Sequence, residues 1–206
     1  MSTLPALQWR YSPKHFSDRK VPQDQLLDLI EAARLSASSY GLQPYKIWVV
    51  EDKAIREKLA EHAYQQPQIK QSSHLLIIAN ETQIGDQIVD RYFQHLYQQT
   101  NTAEGSIEGY VDHIKSAIGS QTHQQRQSWA QQQAYIALGA LLSEAAMQKI
   151  DACPMTGFEP DAFNRILGLT GKHLNACVIC AIGYRKEMAT PTKVRLPIQE
   201  FAHFFA

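Results

Sequence analysis

Four stretches of this chain concentrate groups suited to an anionic, amide-rich ligand. Arg10-Tyr11-Ser12-Pro13-Lys14-His15-Phe16 crowds two cations and a hydroxyl near the start; alone, it reads as a solvated basic terminus. Ser36-Ala37-Ser38-Ser39-Tyr40-Gly41-Leu42-Gln43-Pro44-Tyr45 reads as a helix exit leading into a strand. Cys153-Pro154-Met155-Thr156-Gly157-Phe158 lies between a long helical stretch and a short one. In Lys193-Val194-Arg195-Leu196-Pro197 the two cations alternate with a valine, so both face one way on extended backbone. Paired cations suit a phosphate, and arginine adds a bidentate fork.

Other motifs carry less. Cys177-Val-Ile-Cys180 has the CxxC spacing, but on a strand positions three apart point to opposite faces, so the thiols should diverge. Redox CxxC pairs also favour a helix N-terminus, where the thiolate is stabilised. Gly168-Leu-Thr-Gly171-Lys172 ends like a phosphate loop, yet Ile166 and His173 stand where it needs glycine and Ser or Thr. The eight histidines form no HExxH pair and no close Cys/His pairing, so no metal site is expected. Neither GxGxxG nor GxSxG occurs, which removes the sequence case for a Rossmann dinucleotide site or a hydrolase elbow.

Those segments need elements to position them. Pro22 stands at a first helical turn, and Leu26, Leu29, Ile30 and Ala33 recur at helical spacing up to about Ser36. Tyr45 to Val50, Leu75 to Asn80 and Ala176 to Tyr184 read as buried strands, and Lys53 to His62 as a helix. Gly85 to Arg126 is Gln-rich; Val89, Phe93, Leu96 and Thr100 mark one helical face, and Ile107, Val111, Ile114 and Ile118 another. Two helices forming an excursion are expected there, broken near Gly105. Gln127 to Ile150 lacks proline and is crowded with small residues around Gly139, which suits a helix packed closely in a core or a subunit interface. Pro160 and Gly168 bracket a short helix, and the sequence from Thr190 is extended and punctuated by proline. Strands this far apart with helices between them imply a layered sheet-and-helix domain.

The bulk composition narrows the function. With 206 residues the chain fits one domain carrying an excursion. Lys+Arg and Asp+Glu each total 20, so no general positive surplus holds a polyanion, and nucleic acid is not an expected partner. Local basic clusters can still bind one phosphate. No apolar run approaches the ~20 residues that span a bilayer, and Met1 to Trp9 lacks the pattern of a signal peptide. Three cysteines make no disulfide framework, which suits a reducing compartment, so a cytoplasmic location is expected.

Taken in order, the segments resemble the FMN-dependent nitroreductase family. The matching residues are Arg10-x-Ser12-x-Lys14-x-Phe16, Ala37-Ser38-Ser39 with Gln43-Pro44, Ser73-His74, Pro154 to Phe158, and Lys193-x-Arg195-Leu196-Pro197. The resemblance covers residues 8–80 and 127–198 and fails only in the excursion at about 85–126. It implies an α+β, three-layer fold, with a small mixed central sheet flanked by helices. It also implies a single FMN-binding domain over residues 1–206 and an intertwined homodimer with FMN at the subunit interface. The tail beyond Thr190 would extend into the partner.

By the same resemblance, Arg10, Ser12, Arg195 and Lys193 would surround the ribityl phosphate, with Tyr11 in the same run. Lys14 would approach the N1/O2 side of the flavin ring as the catalytic cation, since an opposite charge within ~4–6 Å favours a charged form. Ser38, Ser39 and Gly41 would come from the partner, and Gln133 would also contact the flavin. Gln65 and Gln68 would lie near the pyrimidine ring. Pro154, Met155, Thr156 and Gly157 would lie along the ring, offering a backbone N–H near N5. Tyr40 and Phe93 are candidates for the substrate channel, with Tyr97 and Tyr110 beside Phe93 in the excursion.

This chain departs from the pattern in places. Gly41 stands where many relatives have Asn, and Thr156 where some have an acidic residue. Tyr40 occupies a position often filled by a small residue, and Gln68 is neutral where some relatives carry Lys. The implied reaction is a ping-pong hydride transfer. NADH or NADPH gives up its electrons and leaves, and a nitroaromatic, quinone or related acceptor takes them. Other readings are specialised flavin chemistry on the same fold, such as dehalogenation or flavin fragmentation, and a flavin-storing or flavin-sensing protein without efficient turnover.

Overall fold

A computed structural model describes residues 3–186 and 190–205. Its sheet has four strands, β1 (Tyr45–Val50), β2 (His74–Glu81), β3 (Asp151–Met155) and β4 (Leu174–Gly183), in the order β1-β2-β4-β3. All eight residues of β2 are buried. The apolar run Leu75 to Ala79 is therefore covered on both faces, which is why it reads as continuous rather than alternating. Leu75, Ile77 and Ala79 enter one core layer, Leu76 and Ile78 the other.

Three helices cover the first face. They are α3 (Lys53–Glu61), α4 (Pro67–Gln71) and α8 (Pro160–Ile166), supplying Leu59, Ile69 and Phe163. The second face is covered by α2 (Gln23–Arg34) and α7 (His123–Met147). Helix α7 begins at a capping box, in which Thr122 and Gln125 satisfy each other's backbone N–H groups. Its small residues Ala134, Ala137 and Ala145 let the α7 backbone lie close to the sheet. This is the expected three-layer α+β arrangement.

One detail differs. Every strand pair is antiparallel, where a mixed sheet was expected. A parallel strand would have to come from elsewhere, and none of the described residues from Thr190 to Phe205 joins the sheet. That stretch holds only the short α9 (Ile198–Phe201).

Besides the short α4 and α9, two elements escaped the sequence patterns. Strand β3 contains Pro154, which lacks an N–H and would break a central ladder. The strand is tolerated because it lies at the sheet edge. Helix α1 (Leu4–Trp9) is too short to show periodicity. The alternation argument for the CxxC pair also fails locally. The β2–β4 register shifts between Ile78 and Ala79, leaving Cys177 unmatched in the ladder. Cys177 thereby packs against the same core layer as Cys180. Both thiols are free.

Between β2 and α7, helices α5 (Asp86–Gln99) and α6 (Glu108–Gly119) pack against each other. They share a core of Ile88, Val89, Phe93, Ile114 and Ile118, and Gly105 between them has φ +82°. Among the described residues, no helix is long and apolar enough to cross a membrane.

Candidate functional site

The segment after α1 is held in place from below. Asp151, buried at the start of β3, receives Arg185 Nε at 2.8 Å and the Arg185 backbone N–H at 2.8 Å. The neutralised guanidinium then supports two rings, with Trp9 at 4.5 Å and Tyr11 at 5.6 Å. Downstream, Ser17 N–H donates to the Tyr184 carbonyl at 2.8 Å, and Lys186 N–H to that of His15 at 3.1 Å. The buried ring of Phe16 lies so close to Gly183 that an added Cβ there would meet it at 2.8 Å. Residues 10–16 are thus fixed across the end of β4.

In that setting Arg10 Nη2 donates to Ser12 Oγ at 2.9 Å. Arg10, Ser12, Lys14 and Gln68 converge on Cys153 of β3. Burial pushes the Cys153 thiol up; Lys14, then hydrogen bonding from Gln68, then Arg10 draw it back. Gln68 is 1% exposed, and its Oε1 has no hydrogen-bond partner among the described residues. Helix α4, which carries Gln68, is gripped at its C-terminal end by buried Arg56. That guanidinium donates to the carbonyls of Ile69 at 2.7 Å, Lys70 at 2.8 Å and Ser72 at 2.5 Å. Burial holds Arg56 below the ordinary arginine range.

The tail reaches the same place. Gln8 to Ser12 and Thr190 to Arg195 line a hollow of about 510 Å³, which brings Arg10, Tyr11 and Ser12 together with Lys193 and Arg195. Lys193 Nζ donates to the carbonyls of Leu7 at 2.5 Å and Arg10 at 2.6 Å, so it also closes the end of α1. Partial burial, then the Arg10, Arg195 and Arg185 cations, pull the Lys193 ammonium below its ordinary value. Cations gathered this way are electrostatically suited to an anion.

Pro154 and Met155 belong to β3, Met155 buried and Pro154 half-buried, with Thr156 exposed just beyond. The Gly157 carbonyl accepts Gln66 Nε2 at 2.7 Å. Gln66, which the sequence patterns did not single out, therefore ties this loop to the start of α4, while its neighbour Gln65 is exposed. Tyr64 and Gln65 both have φ +52°. Nothing in their residue types signals that conformation, which favours glycine.

The remaining predicted residues form a second group. Gly41 N–H donates to the Ser38 carbonyl at 3.0 Å, and Gln43 N–H to Ser38 Oγ at 3.3 Å. Gln43 Nε2 caps α2 at the Arg34 carbonyl, at 2.6 Å. Gln133 Oε1 accepts the Ser39 N–H at 2.8 Å, and its Nε2 donates to the Trp129 carbonyl at 3.1 Å. Gln133 thus orders the 38–41 turn of its own chain. Tyr40 is exposed with φ +55°. Phe93 is buried in the α5–α6 core against Tyr92, Tyr97 and Tyr110, and with Tyr97 it lines a hollow of about 910 Å³ that none of the residues expected at the flavin lines.

The two groups sit at opposite ends of the sheet. The Ser38–Tyr45 turn meets the far end of β2, where Glu81 N–H donates to the Pro44 carbonyl. The Arg10–Phe16 arm meets the near end, where the Phe16 ring and the Ser73 N–H just before β2 both crowd Gly183 of β4. Eight residues of strand separate them, about 25 Å at ~3.4 Å per residue.

Comparison with known proteins gives a consistent picture. Residues 7–184 match the sequence profile of the Nitroreductase family. A Staphylococcus aureus protein named "putative NAD(P)H nitroreductase" is 30% identical over 203 residues, covering 93% of this chain and 90% of its own. The crystal structure of a Bacillus subtilis protein named "putative nitroreductase" superimposes with TM-score 0.89 at 24% identity, covering 98% of both chains. A protein from Exiguobacterium sibiricum named "putative nitroreductase", solved in complex with FMN, gives TM-score 0.87 at 19% identity, covering 100% of this chain and 98% of that one.

Proposed function

Because the chain belongs to the nitroreductase family, we propose that it is an FMN-dependent oxidoreductase passing electrons from NADH or NADPH to a nitroaromatic, quinone or related acceptor in ping-pong order. The observation that carries this reading is the hollow where Arg10, Lys193 and Arg195 meet, together with the unpaired Gln68 Oε1, since Gln68 and the hollow's Arg10 and Ser12 all act on Cys153. A phosphomonoester bears about −1.5 to −2 charge at neutral pH, and three cations in one hollow match it. A buried amide oxygen without a donor matches a ring imide N–H, since leaving it unpaired costs about 1–3 kcal/mol. The residues present therefore fit FMN.

Arg10, Ser12, Lys193 and Arg195 hold the phosphate, and Tyr11 stacks on the Arg185 cation that steadies the arm. Gln68 and Gln65 face the pyrimidine edge. Lys14 places positive charge at the N1/O2 side of the ring, where it stabilises the negative charge that arrives with the electrons. Pro154 to Gly157 form a wall along the ring, with Gln66 fixing the Gly157 carbonyl. When bound, FMN supplies the hydride chemistry, and the protein supplies orientation and charge.

The same reading requires a second copy. One ring system cannot touch both the Arg10–Lys14 arm and the Ser38–Gly41 turn across about 25 Å of strand. A homodimer joins the arm of one copy to the turn of the other. The tail supports this, because Val194, Leu196, Ile198, Phe201, Phe204 and Phe205 are all exposed in a single chain. An apolar surface of that extent calls for a cover.

The test is direct. The purified protein is loaded with FMN and titrated anaerobically with NADH or NADPH. Bleaching of the visible flavin band, reversed by a quinone or nitroaromatic, is the expected result. A bound flavin that stays oxidised with both donors overturns the reductase, and failure to take up FMN overturns the site.

A further inference from the structure

The space beside Gly41 is already taken. Gly41 has φ +75°, and a Cβ built there would lie 2.9 Å from Cε2, Cζ and Oη of Tyr92. Any side chain at position 41 thus meets two obstacles, a left-handed backbone and the phenol ring. Tyr92 is firmly placed. It sits on α5 between Arg91, whose guanidinium bonds Glu81 at 2.6 Å, and buried Phe93, whose ring it meets edge-on at 5.1 Å. Its ring also packs against the α5–α6 core cluster to which Leu42, the residue after Gly41, belongs. Tyr92 itself is only half-buried, and its hydroxyl makes no hydrogen bond among the described residues.

We infer that Tyr92 is a specificity-determining residue: its ring fills the volume a side chain at 41 would occupy, and so forms the wall that the Ser38–Gly41 turn turns toward the acceptor. This rests on the function proposed above, in which that turn faces the shared flavin site of a second copy. The consequence is selection by bulk. A ring rigidly seated on α5 admits a flat, single-ring quinone or nitro compound more readily than a fused or substituted one. A flexible side chain at 41 would move aside for either.

Two measurements decide it. The first compares kcat/KM for 2-methyl-1,4-naphthoquinone with that for 1,4-benzoquinone. Tyr92→Ala should raise the ratio of the larger to the smaller acceptor at least fivefold, while Tyr92→Phe, which keeps the ring, should restore the wild-type ratio. If Tyr92→Ala does not fold, Tyr92→Leu carries the same comparison. An unchanged ratio overturns the inference. The second uses thermal unfolding of the protein without flavin. Gly41→Ala should lower Tm more in the wild-type background than in Tyr92→Ala, because the clash exists only in the first; equal losses overturn the shared-space argument. Wild-type protein that binds no FMN would sink the proposed function as well. Normal turnover with an unaltered acceptor ratio would sink only the role of Tyr92.

Discussion

The side-chain carbonyl of Gln133, on α7, accepts the backbone N–H of Ser39 at 2.8 Å, joining the longest helix to the turn before β1. The Gln133 amide is buried and its Nε2 is also engaged. Gln133→Leu removes the acceptor and leaves the Ser39 N–H to compete for water, a loss of about 1–3 kcal/mol. Amide exchange at Ser39 and Gly41 should accelerate about tenfold or more, with little change in β2. Gln133→Glu keeps an acceptor oxygen and should retain much of the protection. Equal exchange in wild type and Gln133→Leu would mean the turn holds itself.

The Asp151–Arg185 pair supports the other half of the site. Its carboxylate is buried, and Arg185 carries Trp9 and Tyr11 on its guanidinium. Asp151→Ala leaves that cation without its partner, and breaking buried pairs this way typically costs about 3–5 kcal/mol. At ~2–4 °C per kcal/mol for a chain of this size, Tm should fall by roughly 6–20 °C. The Arg10–Phe16 arm should also become protease-sensitive. A loss of less than about 1 kcal/mol in urea unfolding would show that the rings hold the arm without the ion pair.

Much of this architecture is legible in the residues, and the exceptions have physical causes. Leu75 to Ala79 announces a strand buried on both faces because no polar residue interrupts it. Tyr45 to Val50 forms β1 where its pattern places it. Asp151 to Met155 hides as a strand because Pro154 and Asp151 both argue against one, and each is tolerated only by tertiary context: the sheet edge and the Arg185 partner. Lys193 and Arg195 do reach one hollow, but Val194 between them lines it too, so strand alternation is not what gathers them. That Lys193 also closes α1 is a contact between residues 186 apart, invisible to any local pattern. The left-handed Tyr64 and Gln65, and the Cys177 bulge, likewise depend on how distant segments meet.

His74 gives the fold a pH dependence of defined sign. Burial lowers its pKa in the folded protein, outweighing the attraction of Glu51, whose Oε1 lies 3.7 Å from Nε2. A histidine depressed on folding contributes its full stability above its unfolded pKa of about 6.5, and that contribution is lost as pH falls toward the folded value. The urea midpoint should therefore decline between about pH 7.5 and 5.5. His74→Gln should flatten the decline over that interval. A variant as steep as wild type would assign the dependence to another group.

The cysteines should be inert despite their spacing. Burial pushes Cys177 up to about 12 and drives Cys180 higher still, so almost no thiolate exists at neutral pH. Native protein incubated with iodoacetamide at pH 8 should remain unlabelled at both positions, and full labelling should appear only in denaturant. Rapid native alkylation, or a Cys177–Cys180 disulfide under mild oxidation, would show that the bulge opens in solution.

Arg195 separates recognition of the phosphate from recognition of the ring. It lines the hollow with Arg10 and Lys193, but among the described residues it makes no hydrogen bond to the α1 carbonyls that hold Lys193; its Nη1 donates to the neighbouring Val194 carbonyl. Removing it should therefore disturb the fold little and the charge at the hollow considerably. A charge-assisted hydrogen bond contributes about 1.5–3 kcal/mol, so Arg195→Ala should weaken FMN binding roughly ten- to a hundredfold. Riboflavin, which has the same ring and no phosphate, should bind wild type and variant alike. Fluorescence quenching on titration measures both. If the two ligands weaken equally, Arg195 acts on the shape of the tail and the hollow is not the phosphate site. If neither weakens, the anion is held by Arg10 and Lys193 alone.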